Sequence, residues 1–192
     1  MARRVEMAAR LARRWRDCRS GLAALEFAIV APILILLFFG VVESADALAR
    51  NRQVTLAVNT LVDLASQETK LLTSDADDLF GGVEQIIDDD GAPIVIRLIS
   101  VINDPEGNPI VHWSRDNEGG EPYAKGDDYE NLPAATLIDS GSSILVAEIS
   151  YAYSSSISRL VIPPINFESS ATRWPRRSMR VQLCASSTTC TS

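Results

Sequence analysis

The sequence holds a single histidine, His112, in 192 residues. That scarcity excludes most His-dependent metal sites and Ser-His-Asp triads before any motif is sought. Three cysteines are too few to build a disulfide scaffold. There is no G-x-S-x-G, no H-E-x-x-H, no Walker glycine loop and no C-x-x-C. The chain therefore reads as a non-enzymatic protein, with no catalytic residues, no metal site and no cofactor. Positive charge is scarce over most of the chain as well. The net charge is -7, yet residues 1–20 carry seven arginines against Glu6 and Asp17, a balance of +5. The remaining 172 residues must then sum to -12. An acidic body repels phosphate, which excludes nucleic acid as a partner.

What the chain does have is one long apolar run. Leu22 to Val42 reads LAALEFAIVAPILILLFFGVV, with Glu26 as its one charge. As a helix this spans roughly 31 Å, the hydrocarbon thickness of a bilayer. The lipid bilayer is thus an expected partner. The arginine-rich flank precedes the run and the acidic bulk follows it. The positive-inside rule then places residues 1–21 in the cytoplasm as a basic leader, 22–42 in the membrane, and the C-terminal part outside. A cleaved secretory signal is the rival reading, since Ala45-Asp46-Ala47 fits a small-x-small site. Its apolar core would normally be 7–15 residues. Here Phe27 to Val42 already exceeds that without a charge.

After Glu43 the pattern stays helical, with Val54, Val58, Leu61, Ala65 and Leu72 on one face. A helical stem over 43–72 is expected, packed on a partner or on its own domain. Residues 73–91 are acidic: Asp75, Asp77, Asp78, Glu84, Asp88, Asp89 and Asp90. EF-hand spacing fails there, because Leu79 stands where an oxygen ligand should be. This stretch is expected to be a solvated connector turning at Gly81-Gly82 and Asp90-Gly91. Ile94 to Ile102, the turn cluster NDPEGN and IVHW at 110–113 form a β-hairpin, with His112 as a hairpin residue. A long polar loop over 114–132 follows. Ile144 to Tyr153 is a further strand, with Leu145, Ala147, Ile149 and Tyr151 on one side, and Asn166 to Arg173 is another. The fold class is α+β: a long N-terminal transmembrane and stem helix, then a small antiparallel β-rich domain over 73–192. The run Arg173, Arg176, Arg177 and Arg180 stands out in that domain, as a surface for an acidic partner or lipid headgroups or as a solvated feature. Cys184 and Cys190 lie in the tail CASSTTC. In an oxidising periplasm they can form a disulfide; the alternative is two free thiols in a frayed end. Cys18 belongs to the leader.

Glu26 is expensive in lipid unless it is protonated, interfacial or paired. It lies at the fifth place after Gly21, in the string RSGLAALEF. A basic leader, a glycine and an apolar helix with glutamate at its fifth place resemble the processing site of type IV prepilins. The resemblance narrows with ALEFAIVAPILILLFFGVVE, which is similar to the TadE-like family, pseudopilins of the Tad (Flp) tight-adherence pilus assembly system. GNPIVHWSR at 107–115, ILVAEISYAY at 144–153 and SSATRWPRR at 169–177 are looser matches to it. The resemblance implies a prepilin peptidase cutting between Gly21 and Leu22, and a freed Leu22 amine that pairs with Glu26 of a neighbouring subunit. It implies a bacterial inner-membrane protein, single-pass, with a periplasmic C-terminal domain. The implied partners are that peptidase, other Tad pilins or pseudopilins and the inner-membrane assembly platform. The alternative is a membrane-anchored periplasmic ligand-binding or sensory domain unrelated to pili, for which an intramembrane glutamate at this spacing has no use.

Overall fold

The computed structural model describes residues 20–87, 91–132, 138–139, 141–155 and 164–190. Most of the leader with Cys18, and Asp88, Asp89 and Asp90 of the acidic stretch, lie outside the described residues. The chain divides into two compact units between Ala45 and Asp46.

Helix α1 covers Ser20–Gln67. Uninterrupted helix-forming residues carry it, and Pro32 withholds only one amide from its ladder. In the second unit its residues Val54, Ala57, Val58, Leu61, Val62 and Ala65 are fully buried. Their three- and four-residue spacing makes one stripe, which is the face the sequence pattern predicts. The helix stops at Gln67. Lys70–Leu72, expected as the end of the helical stem, is strand β1. It pairs in parallel with β6, Gln182–Cys184, and buries Leu71 completely.

The acidic stretch corrects a second expectation. Thr73–Ile87 is helix α2, and Gly81 and Gly82 lie within it rather than at a turn. Two interior glycines cost about 1 kcal/mol each. Burial outweighs them: Ala76, Phe80, Val83 and Ile87 recur every three or four residues and all face the core. Asp75 in the first turn also suits the positive end of the helix dipole.

The rest is a four-stranded antiparallel sheet in the order β3-β2-β4-β5. Its strands are β2 (Ile94–Asn103), β3 (Pro109–Asp116), β4 (Ser143–Tyr153) and β5 (Ile165–Arg173). The hairpin β2–β3 turns where expected. Asp104 Oδ1 accepts the Asn108 amide at 2.7 Å, and Gly107 supplies a φ of 92°. One face of the sheet presents Ile96, Leu98, Trp113, Leu145, Ala147, Ile149, Tyr151 and Tyr153 to a core shared with the buried stripes of α1 and α2. The opposite face has its own core, built from Ile99, Val101, Val111, Ile144 and Val146. The first three residues of the expected long loop, 114–116, extend β3, and the rest covers this second face with Tyr129, Tyr123 and Leu132. The expected α+β architecture is the one observed.

Polar contacts lock the second unit. Arg115 of β3 grips Asp77 of α2 with Nε and Nη2, at 2.9–3.0 Å. Trp113 Nε1 donates to the Val181 carbonyl at 2.8 Å inside the core. Tyr153 Oη donates to Asp46 Oδ2 at 2.6 Å, and Arg50 Nη1 to the Ile87 carbonyl at 3.0 Å.

Candidate functional site

The expected processing-site residues and Glu26 lie in the first unit, near the start of α1. Gly21 and Leu22 fall in its first turn. A Cβ added at Gly21 would meet nothing within 4 Å, and its backbone is helical. The fold therefore does not require glycine at this position.

From Leu22 to Val42 the helix is apolar on every side, and among the described residues none of its side chains is buried. Phe27, Leu36, Phe38 and Val41 are each at least 65% exposed, and Ile29, Ile33, Leu34 and Ile35 also face outward. A soluble surface does not present apolar side chains around a whole helix, because that area costs about 25 cal/mol for each Å² left in water. The helix is long and apolar enough to cross a membrane once, so the chain is compatible with single-pass anchoring near its N-terminus. Glu26 is exposed on this rod, and among the described residues it makes no hydrogen bond or ion pair. In lipid such a carboxylate needs a partner, and the described residues do not supply one.

The disulfide, the arginine run and His112 lie in the second unit. Cys184 and Cys190 form a disulfide that closes a short loop after β6. Cys184 is fully buried beside Leu183. The arginine run folds back on its own unit. Arg173 Nη2 donates to Asn59 Oδ1 at 3.2 Å, Arg176 pairs with Asp63, and Arg180 Nε donates to the Gly141 carbonyl at 2.9 Å. The first two contacts tie the end of β5 and the segment after it to α1, and the third ties that segment to the turn before β4, so most of the run is structural. His112 is buried as the extra residue of a β-bulge opposite Ser100 and Val101. Its Nδ1 has no hydrogen-bond partner. Burial first, and then the charges of Arg180 and Lys125, hold its imidazole below the ordinary histidine range. Among the described residues no group of histidine, cysteine and carboxylate side chains is placed to hold a metal.

One cluster escaped sequence reasoning. Glu148 interrupts the apolar strand β4 and accepts two phenolic hydrogen bonds, Tyr129 Oη to Oε1 at 2.6 Å and Tyr123 Oη to Oε2 at 3.0 Å. Arg97 Nη1 lies 3.6 Å from Oε2. Burial and the neighbouring carboxylate push both phenols above the ordinary tyrosine range, Tyr129 the further. The signal was a lone glutamate in ILVAEISYAY, whose tyrosine partners sit 19 and 25 residues earlier.

The family described as TadE-like protein matches residues 21–62. The match begins at Gly21, contains Glu26 and the whole apolar rod, and ends in the buried stripe of α1. No curated protein and no solved structure matches the chain.

Proposed function

Proceeding from a segment over 21–62 that matches the TadE-like family, we propose that the protein is a pilin-like component of Tad (Flp) pilus biogenesis. It is anchored in the bacterial inner membrane, and a prepilin peptidase cuts it between Gly21 and Leu22. The observation that carries this reading is the uncovered apolar rod with Glu26 at the fifth place after a glycine the fold does not need. A membrane anchor by itself requires neither residue. The peptidase must draw extended backbone into its site, so the first turn of α1 unwinds there, and a side chain at position 21 obstructs it. Cleavage frees the Leu22 amine. That amine then pairs with Glu26 of a neighbouring Tad subunit, so that both charges have a partner in the low-dielectric interior. The domain after Asp46 lies in the periplasm, where oxidising conditions keep Cys184 and Cys190 paired. Partners on this reading are the peptidase, other Tad pilins and the inner-membrane assembly platform. The protein performs no catalysis of its own.

N-terminal sequencing of the membrane-bound protein tests the reading. A mature chain starting at Leu22 in the wild type, with uncleaved chain accumulating in Gly21→Val, is the expected outcome. A start at Met1, or at Leu48 after Ala47, overturns it.

A further inference from the structure

The face of the sheet that carries the second core also holds, beside that core, a polar groove of about 570 Å³ that the pilus reading does not use. Two cross-strand rows form its floor: Val95, Ser150 and Glu168 in one, and Arg97, Glu148 and Ser170 in the other. Strand pleating turns all six side chains to one face. Tyr123 walls the end nearest the second core. The floor is rigid where it matters. Tyr123 and Tyr129 hold the two Glu148 oxygens separately, and their rings meet edge to face at 5.6 Å. Arg97 forms an ion pair with Glu148 at 3.6 Å, and its side chain stays 39% exposed, so its remaining N–H groups can donate to a ligand. Ser170 and Glu168 are exposed.

The ligand class follows from how these groups alternate. An anion placed on this floor would meet Glu148 and Glu168. A cation would meet Arg97. A neutral molecule bearing hydroxyls that both donate and accept satisfies all of them at once. The guanidinium donates, the carboxylates accept, the serines do either, and a tyrosine ring offers an apolar wall to C–H groups. We propose that this groove binds a neutral saccharide, with Glu168 and Arg97 as its principal polar contacts and the tyrosine-held Glu148 fixing the floor. The site is independent of the membrane segment, so it stands whether or not the chain is processed.

The test uses the full chain in micelles of a zwitterionic detergent free of sugar headgroups, with chitotriose as the probe. Saturation-transfer NMR is expected to show transfer to the sugar protons, with a Kd of about 1 mM. Glu168→Gln replaces a charged acceptor on an exposed strand position and is expected to weaken binding about tenfold. Ser170→Trp fills the groove and is expected to abolish it, with the far-UV circular dichroism and melting temperature unchanged. Absence of transfer at about 20 mM chitotriose overturns the proposal. So does equal binding by wild type and both folded variants. Trilysine binding more tightly than chitotriose would also overturn it, and would assign the groove to a cationic partner instead.

Discussion

The two halves of α1 are the same secondary structure with opposite surroundings. Between Leu22 and Val42 the apolar side chains face outward on all sides. From Val54 to Ala65 six apolar residues form one stripe that is fully buried by the sheet and α2 of its own unit, while Leu56 and Leu64 stay exposed. The difference lies in how polar residues are interleaved. Asn51, Arg52, Thr55, Asn59 and Asp63 give the second half a side that tolerates water, whereas the first half has none apart from Glu26. A helix apolar on one stripe can be completed by its own chain. A helix apolar all round can be completed only by lipid or by other subunits.

Truncating the two halves separately breaks the comparison most directly. Leu61→Ala removes a fully buried side chain and should cost about 2–5 kcal/mol of folding stability, read by denaturant unfolding in micelles. Leu36→Ala, at a residue 73% exposed, should leave that unfolding curve unmoved. Equal losses would mean that the first half is packed within the folded molecule. Glu26→Ala is the next largest effect. Removing a carboxylate from an apolar span should ease membrane insertion, by up to about 3 kcal/mol. The variant should still be cleaved yet fail in pilus assembly, and Glu26→Asp should rescue only in part. Full assembly by Glu26→Ala at normal protein level would leave the residue without a mechanical role.

Smaller effects sharpen the picture of the second unit. Asp77→Ala breaks a bidentate contact that is half open to water, and should cost no more than about 1 kcal/mol in the same unfolding assay. A loss of several kcal/mol would make the Arg115 contact a core element rather than a surface tie. The smallest effect is a pH dependence. The folded pKa of His112 is depressed, so the unfolded chain binds its proton first as pH falls. Stability should therefore decline below the ordinary histidine range near pH 6.5, and His112→Gln should flatten that part of the profile. An unchanged profile in the variant would trace the decline to other groups.

The apolar run long enough to cross a membrane, the long helix and the four main strands were legible because each is written locally. Run length marks a bilayer crossing, a spacing of three and four marks a helix face, and β-branched runs between turn residues mark strands. Ile94–Asn103, Pro109–Asp116 and Ser143–Tyr153 begin and end within a few residues of where the pattern predicts. Helix α2 was hidden because its carboxylates and paired glycines read as a connector, and only the core it meets favours Phe80 and Val83 on a helix. The bulge at His112 is set by register between two strands, which no single strand encodes. The pairing of Leu71 with Leu183 depends on where the chain returns after the whole sheet has formed. The Glu148 cluster gathers β2, β4 and the covering loop, segments that share no local pattern. Residue order along the chain decided which segments are helix, strand and long apolar run, since those depend on neighbours a few residues apart. Tertiary structure alone decided which polar groups meet, because their partners lie far apart in sequence and are brought within hydrogen-bonding distance only by packing the apolar faces.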